Sequence, residues 1–190
     1  MEINKLDSFY ITIINSPLED ILNFIKNDDF TKNREFKYKT INIDNFFKNN
    51  ISLNPTSKLL IFESITFLGK SIALGGWITL INYFCKKQNK DNYFIEFNTD
   101  KSPIQRNCFL KFEKDDHSRI IQNIINEKEK WEFFSKGKPL KFEKTEYYRR
   151  KEIKNRLNKD ILIEYSKNIG FDLLDELSFV TNKKSIFIEY

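Results

Sequence analysis

The side chains most used as nucleophiles, general bases and metal ligands are scarce in this chain, which limits the chemistry it can perform. Among 190 residues there is one histidine, His117, and two cysteines, Cys85 and Cys108. A Ser–His or Cys–His pair would have to recruit His117 as its imidazole. The preceding Asp115 and Asp116 cannot join it on a metal, because consecutive residues at a helix start point about 100° apart. We therefore predict no metal, no cofactor and no enzymatic activity.

A weaker signal for nucleotide binding is the tripeptide Gly69-Lys70-Ser71, which follows an apolar run as a Walker A loop would. That motif also needs a glycine five residues before Gly69, where this chain has Ser64. Without it, backbone N–H groups cannot easily wrap around a phosphate, so we expect no nucleotide site. Glu96, with Asp100 and Lys101 close in sequence, is the best candidate for a carboxylate-based active site. Its spacing matches no established pattern.

The strongest candidate for a binding site is the basic and aromatic stretch 141–160. It holds eight basic residues against four acidic ones, and three of the six arginines in the chain. Arginine forks suit phosphates, and tyrosine rings suit stacking on bases. The four-residue steps from Glu152 to Arg156 to Asp160 instead indicate ion pairs on a helix face that meets solvent or a partner. We favour that interpretation, with nucleic-acid binding by a helix at 147–156 as the alternative. The candidate residues are Tyr147, Tyr148, Arg149, Arg150 and Arg156.

An acidic patch follows at Asp172, Asp175 and Glu176. Separation of this patch from the basic stretch would orient a protein partner, so these three residues join the candidates. The whole chain has a formal net charge of +5. Its abundance of Lys, Asn, Ile and Phe indicates A/T-rich codons, however, so the net charge is weak evidence for a nucleic-acid partner.

Hydrophobic patterns predict the elements that must position these candidates. Alternating or continuous apolar runs predict strands at 9–14, 36–43, 59–62, 93–97, 108–112 and 186–190. The two runs at 93–97 and 108–112 suggest a hairpin. The segment 65–85 is long enough to span a membrane, but Lys70, Asn82 and the pair Gly75-Gly76 within it oppose that. It is better interpreted as a buried core helix, or as two short elements hinged at Gly75-Gly76.

Helices are predicted from capping residues and apolar spacing. The first begins at Ser16-Pro17, with Ser16 as N-cap and Glu19 completing a capping box. A second carries the isoleucines of 120–125 through to Phe134, capped by Asp115 or Asp116 and ended by Gly137. A third covers 145–168, interrupted near Asn158 and closed by Gly170, and a short fourth covers 172–177.

The predicted architecture is a single α+β domain, 1–190, with a mixed β-sheet packed by several helices and a helical C-terminal subregion at 115–180. The N-terminus has no basic stretch leading into an apolar run, so no signal peptide is expected. Two unpaired cysteines then suggest reduced thiols in a cytoplasmic protein. No contact with a membrane is expected.

In general character the chain resembles the small cytosolic immunity proteins that neutralise bacterial toxins. It is short, aromatic-rich, A/T-biased and without a catalytic signature; the resemblance covers no specific residues. It implies tight, non-catalytic binding of one toxin domain, which blocks the active site or the access of substrate. Inhibitors of nucleases are usually acidic, so this net basic chain would use its acidic patch at 172–176 or meet a target with an acidic or neutral surface. We therefore predict a protein-binding module, without an expectation for its oligomeric state.

Overall fold

One sheet of nine strands organises the residues that a computed structural model of the protein describes, which are 8–43, 58–66, 69–75, 77–98, 105–113, 118–182 and 185–189. The strands are β1 (Ser8–Ile14), β2 (Lys37–Ile41), β3 (Lys58–Glu63), β4 (Ser71–Leu74), β5 (Asn92–Asn98), β6 (Arg106–Phe112), β7 (Arg119–Ile125), β8 (Trp131–Lys136) and β9 (Ser185–Glu189). The α-helices of the described residues are α1 (Leu18–Asn27), α2 (Ile78–Gln88) and α3 (Lys159–Asn168). Short 3-10 turns cover Thr145–Arg149, Ile153–Asn155 and Glu176–Phe179.

The strands lie in the order β2-β9-β3-β4-β1-β5-β6-β7-β8, and every neighbouring pair is antiparallel. The predicted mixed sheet is therefore wrong. Both α and β content are present around a sheet-dominated core, so the predicted α+β class fits only loosely. The strand predictions are confirmed for the described residues, including the β5–β6 hairpin, while Tyr190 of the predicted strand 186–190 lies outside them. The apolar run of β3 is buried between β9 and β4.

Each face of the sheet has its own cover. Face A, the side bearing Ile11, Phe109 and Ile121, packs against α3 and the irregular segments on either side of it. Face B, the side bearing Ile14 and Ile61, packs against α1 and α2. Side chains alternate between the two sides of a strand, which is why an apolar run such as that of β3 supplies both cores.

The first helix is confirmed, but its predicted capping box is wrong. The N–H of Leu18, the first helical residue, donates to Oε1 of Glu63 at 2.8 Å in a buried contact. Ser16 instead donates its hydroxyl to Asp20 at 3.2 Å. A carboxylate from β3 thus satisfies a helix N-terminus that the local sequence was expected to satisfy, and it complements the positive end of the helix dipole.

The described part of the segment 65–85 forms two short elements, as in the second of the two predicted forms, while Gly76 of the predicted hinge lies outside the described residues. β4 and α2 lie on either side of residues 75–77, and Lys70 immediately precedes β4. In the described ranges no helix is long and apolar enough to cross a membrane. Gly69-Lys70-Ser71 leads into a strand, so it lacks the following helix that a Walker A loop requires.

Gly75 and Gly69 form a matched pair for testing this arrangement. Gly75 has φ +128°, and an added Cβ would lie 2.5 Å from the carbonyl oxygen of Lys58. Gly69 has φ +73°, with nothing within 4 Å of its added Cβ. We expect Gly75→Ala to lower the free energy of unfolding by about 3 kcal/mol and Gly69→Ala by about 1 kcal/mol. Urea denaturation measures both, and equal losses would contradict the claim that the close approach of Gly75 to the Lys58 carbonyl excludes a side chain.

The predicted helix over 120–134 is wrong, because these residues form the β7–β8 hairpin. β-branched isoleucines favour a strand, where Ile120 and Ile124 point to face B while Ile121 points to face A. The turn between the strands is closed by Asn126, whose Oδ1 accepts from the N–H groups of Lys128 at 2.9 Å and Lys130 at 3.0 Å. The predicted caps Asp115 and Asp116 lie outside the described residues.

The predicted helix over 145–168 is correct only in its last ten residues. α3 begins after Asn158, whose side chain accepts from the N–H of Ile161 at 3.1 Å, so Asn158 caps the start of a helix and does not interrupt one. Gly170 follows the helix with φ +88°. Before Asn158 the chain forms 3-10 turns, and Asn107 and Asn123 of the sheet donate to its carbonyl groups, both to Leu157 O and Asn123 also to Ile153 O.

The absence of a helix before Asn158 also overturns the predicted ion-paired helix face and the predicted helical subregion. Without a helix at 147–156, the ion-paired face of Glu152, Arg156 and Asp160 does not exist. The described part of the predicted helical subregion 115–180 contains two strands and one α-helix. In place of the short helix predicted over 172–177, the chain has a turn at 173–174 followed by the 3-10 turn at Glu176–Phe179.

Candidate interaction surfaces

A buried ion pair joins the start of the predicted basic stretch to the sheet. Arg119 of β7 and Glu143 are joined by three hydrogen bonds, the shortest 2.6 Å from Nη2 to Oε2, and their side chains are 3% and 0% exposed. Arg119 Nη1 also donates to Ser135 Oγ at 2.8 Å and to the Lys136 carbonyl at 3.0 Å. The pair therefore ties the segment after β8 to the edge of the sheet.

Tyr148 extends this network toward α3. Its hydroxyl donates to Glu143 Oε2 at 2.7 Å and lies 3.1 Å from the hydroxyl of Tyr165. Burial is the main cause that raises the pKa of Tyr148, and its hydrogen bonds to Tyr165 and Glu143 raise it further. Tyr148 is therefore a neutral donor at physiological pH, and its role in the described structure is internal. It was predicted as a partner-binding residue.

The other predicted basic residues make mostly internal contacts too. Arg150 stacks over the Tyr147 ring at 4.0 Å, and its Nη1 donates to the Asn155 carbonyl at 2.8 Å. Arg156 Nε donates to the Arg150 carbonyl at 2.9 Å. Arg149 is exposed. The contacts of Arg150 and Arg156 thus fold this stretch onto itself.

The predicted acidic residues lie beside exposed apolar side chains. Leu177 and Leu174 are 54% and 49% exposed, the highest values among the large apolar residues described as exposed. Val180 and Ile65 are also exposed, and the N–H of Ile65 donates to the Val180 carbonyl at 3.0 Å. That bond brings the turn after β3 against the 3-10 turn at Glu176–Phe179.

The carboxylates of this region shape its two turns. Asp172 Oδ1 accepts from the N–H of Leu174, and Asp175 Oδ1 accepts from the N–H of Leu177, each at 3.0 Å. Lys167 lies 3.5 Å from the other oxygen of Asp172. Asp175 and the neighbouring Glu176 are both exposed. We call the set Ile65, Leu174, Asp175, Glu176, Leu177 and Val180 the acidic–apolar surface.

The apolar half of this surface was missed at the level of sequence. Leu174 and Leu177 have the i, i+3 spacing of a buried helix face, and the sequence predicted a short helix there. In the structure Phe171, Leu173 and Phe179 take the buried positions, and the two leucines point outward. The adjacent Asp175-Glu176 pair is the one signal in the sequence that opposes burial of this segment.

The remaining chemical candidates are buried or lie outside the described residues. Burial raises the pKa of Cys85 and of Cys108 to about 12, so neither thiol is appreciably ionised at neutral pH. Glu96 accepts from Nε of Arg106 at 2.7 Å, while Asp100, Lys101 and His117 are not described. Within the described ranges no cluster of three acidic, histidine or cysteine side chains is arranged to hold a metal.

Comparison with known proteins adds no assignment to this geometry. No family model matches the chain, and no significant match was found among curated proteins or solved structures.

Proposed function

We propose that this protein is a non-catalytic protein-binding module that uses the acidic–apolar surface. The observation that carries the proposal is the exposure of Leu174 and Leu177 at 49% and 54%, next to the carboxylates of Asp175 and Glu176. Exposed apolar groups rimmed by charged groups are typical of protein interaction sites. The chemistry of the surface is apolar at its centre and anionic at its rim.

Preorganisation strengthens the argument. Buried Phe171, Leu173 and Phe179 hold the segment to the core under face A. The side-chain caps of Asp172 and Asp175 fix the turns that present the leucines. A partner therefore meets side chains whose backbone is already ordered, which reduces the entropy lost on binding.

The charge of the surface indicates the kind of partner. An apolar centre with carboxylates beside it complements an apolar pocket rimmed by lysine or arginine. Toxin domains that act on nucleic acids carry basic surfaces, because their substrates are polyanions. We therefore propose specifically a binding module of the immunity type. Although the chain is net basic, the carboxylates of Asp175 and Glu176 would provide the negative charge that faces a basic target.

Co-expression tests this proposal. The gene immediately upstream is sequenced, and the C-terminal domain of a secreted toxin encoded there is induced in a heterologous bacterium with or without this protein. We expect growth arrest that the protein relieves, and a complex of the two proteins that survives gel filtration. An upstream region without a toxin gene, or arrest that the protein does not relieve, contradicts the immunity form.

The nucleic-acid alternative gives the opposite results. A protein that binds nucleic acid through exposed Arg149 would be retained on heparin or DNA in a salt-dependent way, and Arg149→Glu would weaken that retention. It would give no protection against the toxin domain. We expect retention no stronger than that of an unrelated protein of similar net charge.

A further inference from the structure

The two ends of the sheet differ in how their open edges are protected. β2, at one end, carries exposed Lys37 and Lys39, and lysine is a common safeguard of an edge strand. β8, at the other end, reads Trp131-Glu132-Phe133-Phe134-Ser135-Lys136, with three aromatic residues among six and no proline. On its outer side β8 pairs with no strand of the described chain.

Hydrogen bonding within the hairpin shows which backbone groups of β8 point outward. The N–H of Asn126 donates to the carbonyl of Lys130 at 2.9 Å, while that of Ile125 donates to Gln105, away from β8. Bonded pairs alternate along an antiparallel ladder, so Glu132, Phe134 and Lys136 bond to β7. The N–H and C=O groups of residues 131, 133 and 135 therefore line the open edge.

The side chains of β8 divide in the same way. Phe133 is on face A, where it packs on Tyr148 with ring centroids 5.0 Å apart. Glu132, Phe134 and Lys136 are on face B, and all three are exposed, Phe134 by 46%. Asn126 Nδ2 donates to Glu132 Oε1 at 2.7 Å, which orients that carboxylate. Face B of β8 thus presents an anion, a phenyl ring and a cation in sequence.

That order is complementary to itself. If a second copy adds its β8 antiparallel, with the two-fold axis at Phe134, the two Phe134 rings lie opposite each other. Glu132 of each copy then lies opposite Lys136 of the other, and the outward groups of Phe133 and Ser135 exchange hydrogen bonds. Aromatic and opposite-charge pairs directly across two strands are both stabilising. We infer that the protein forms a symmetric dimer in which the β8 strands pair about Phe134 and join the two sheets.

Electrostatics selects this register over its neighbour. A two-fold axis at Phe133 would also pair the outward backbone groups, but it would place Lys130 opposite Lys136 and Glu132 opposite Phe134. Like charges directly opposite each other are destabilising. The dimer would use β8, whereas the proposed toxin contact uses the acidic–apolar surface. Either proposal can therefore be disproved without affecting the other.

Sedimentation equilibrium of the purified full chain over a wide concentration range tests the inference. We expect a monomer–dimer equilibrium. Glu132→Lys and Lys136→Glu should each raise the dissociation constant roughly tenfold or more, since each creates two repulsive pairs by symmetry. The double variant E132K/K136E restores both pairs and should return the constant to near its original value. Lys128→Glu, in the exposed turn, is the control and should change little.

Several results would overturn this dimer. One is a monomer at every concentration. Another is a dimer whose dissociation constant is unchanged by Glu132→Lys and Lys136→Glu, or is not restored in the double variant. Tighter association of Lys130→Glu would indicate the Phe133 register instead. Phe134→Ser gives a second, uncharged measurement: loss of the ring pair should weaken the dimer while the far-ultraviolet circular dichroism stays unchanged.

Discussion

Replacing Arg119 with alanine should lower the free energy of unfolding by about 3–5 kcal/mol, one of the largest effects expected of a single substitution in this protein. Its guanidinium is 3% exposed and meets a fully buried carboxylate on Glu143. Removing the cation leaves that carboxylate without its charge partner in a site from which water is excluded. Urea denaturation followed by circular dichroism measures the loss.

Two comparison variants distinguish loss of the buried ion pair from nonspecific destabilisation of the fold. The double variant R119M/E143L replaces both charges with apolar groups and should recover a large part of the loss. Lys58→Ala breaks an exposed pair, in which the Lys58 and Glu189 charges are 3.6 Å apart, and should cost less than about 1 kcal/mol. If Arg119→Ala were as mild as Lys58→Ala, the network would not hold the segment after β8.

The elements that sequence predicted well are those with a local cause. β1, β3 and the β5–β6 hairpin follow from β-branched and aromatic runs, and α1 follows from its apolar spacing. The helix predicted over 120–134 was wrong because its isoleucines come in pairs. Such pairs fit one helix face and also fit both faces of a strand, and only the partner strand β6 decides between them.

The region of 137–157 depended on contacts that sequence spacing does not encode. Asn107 and Asn123 lie opposite each other on β6 and β7, and both donate to Leu157. Asn123 also donates to the carbonyl of Ile153, so side chains of the sheet bond to a segment for which the charge spacing predicted a helix. The candidate site was also predicted only in part. Its acidic residues were predicted from the sequence. The exposure of Leu174 and Leu177 was not, because it depends on Phe171, Leu173 and Phe179 occupying the core instead.

The second large effect concerns binding. Leu177→Lys should weaken the complex with the toxin domain encoded upstream at least about 100-fold, because it removes the most exposed apolar anchor and places a cation against a basic partner. Leu174→Lys should act in the same direction. Isothermal titration calorimetry of the purified proteins measures the change.

Phe30→Lys is the matched control for this prediction. Phe30 is 44% exposed, follows α1 on the other side of the sheet, and gives the same change of charge. Its affinity should stay within about threefold of the original protein. If Phe30→Lys and Leu177→Lys weakened binding equally, the effect would belong to net charge and the acidic–apolar surface would not be the binding site.

Hydrogen–deuterium exchange of the complex with that toxin domain tests the central claim most directly. The account predicts that amides of the 3-10 turn at Glu176–Phe179, together with Leu174 and Ile65, exchange more slowly in the complex than in the free protein. Slower exchange at 147–156, with no change at 174–180, would contradict it.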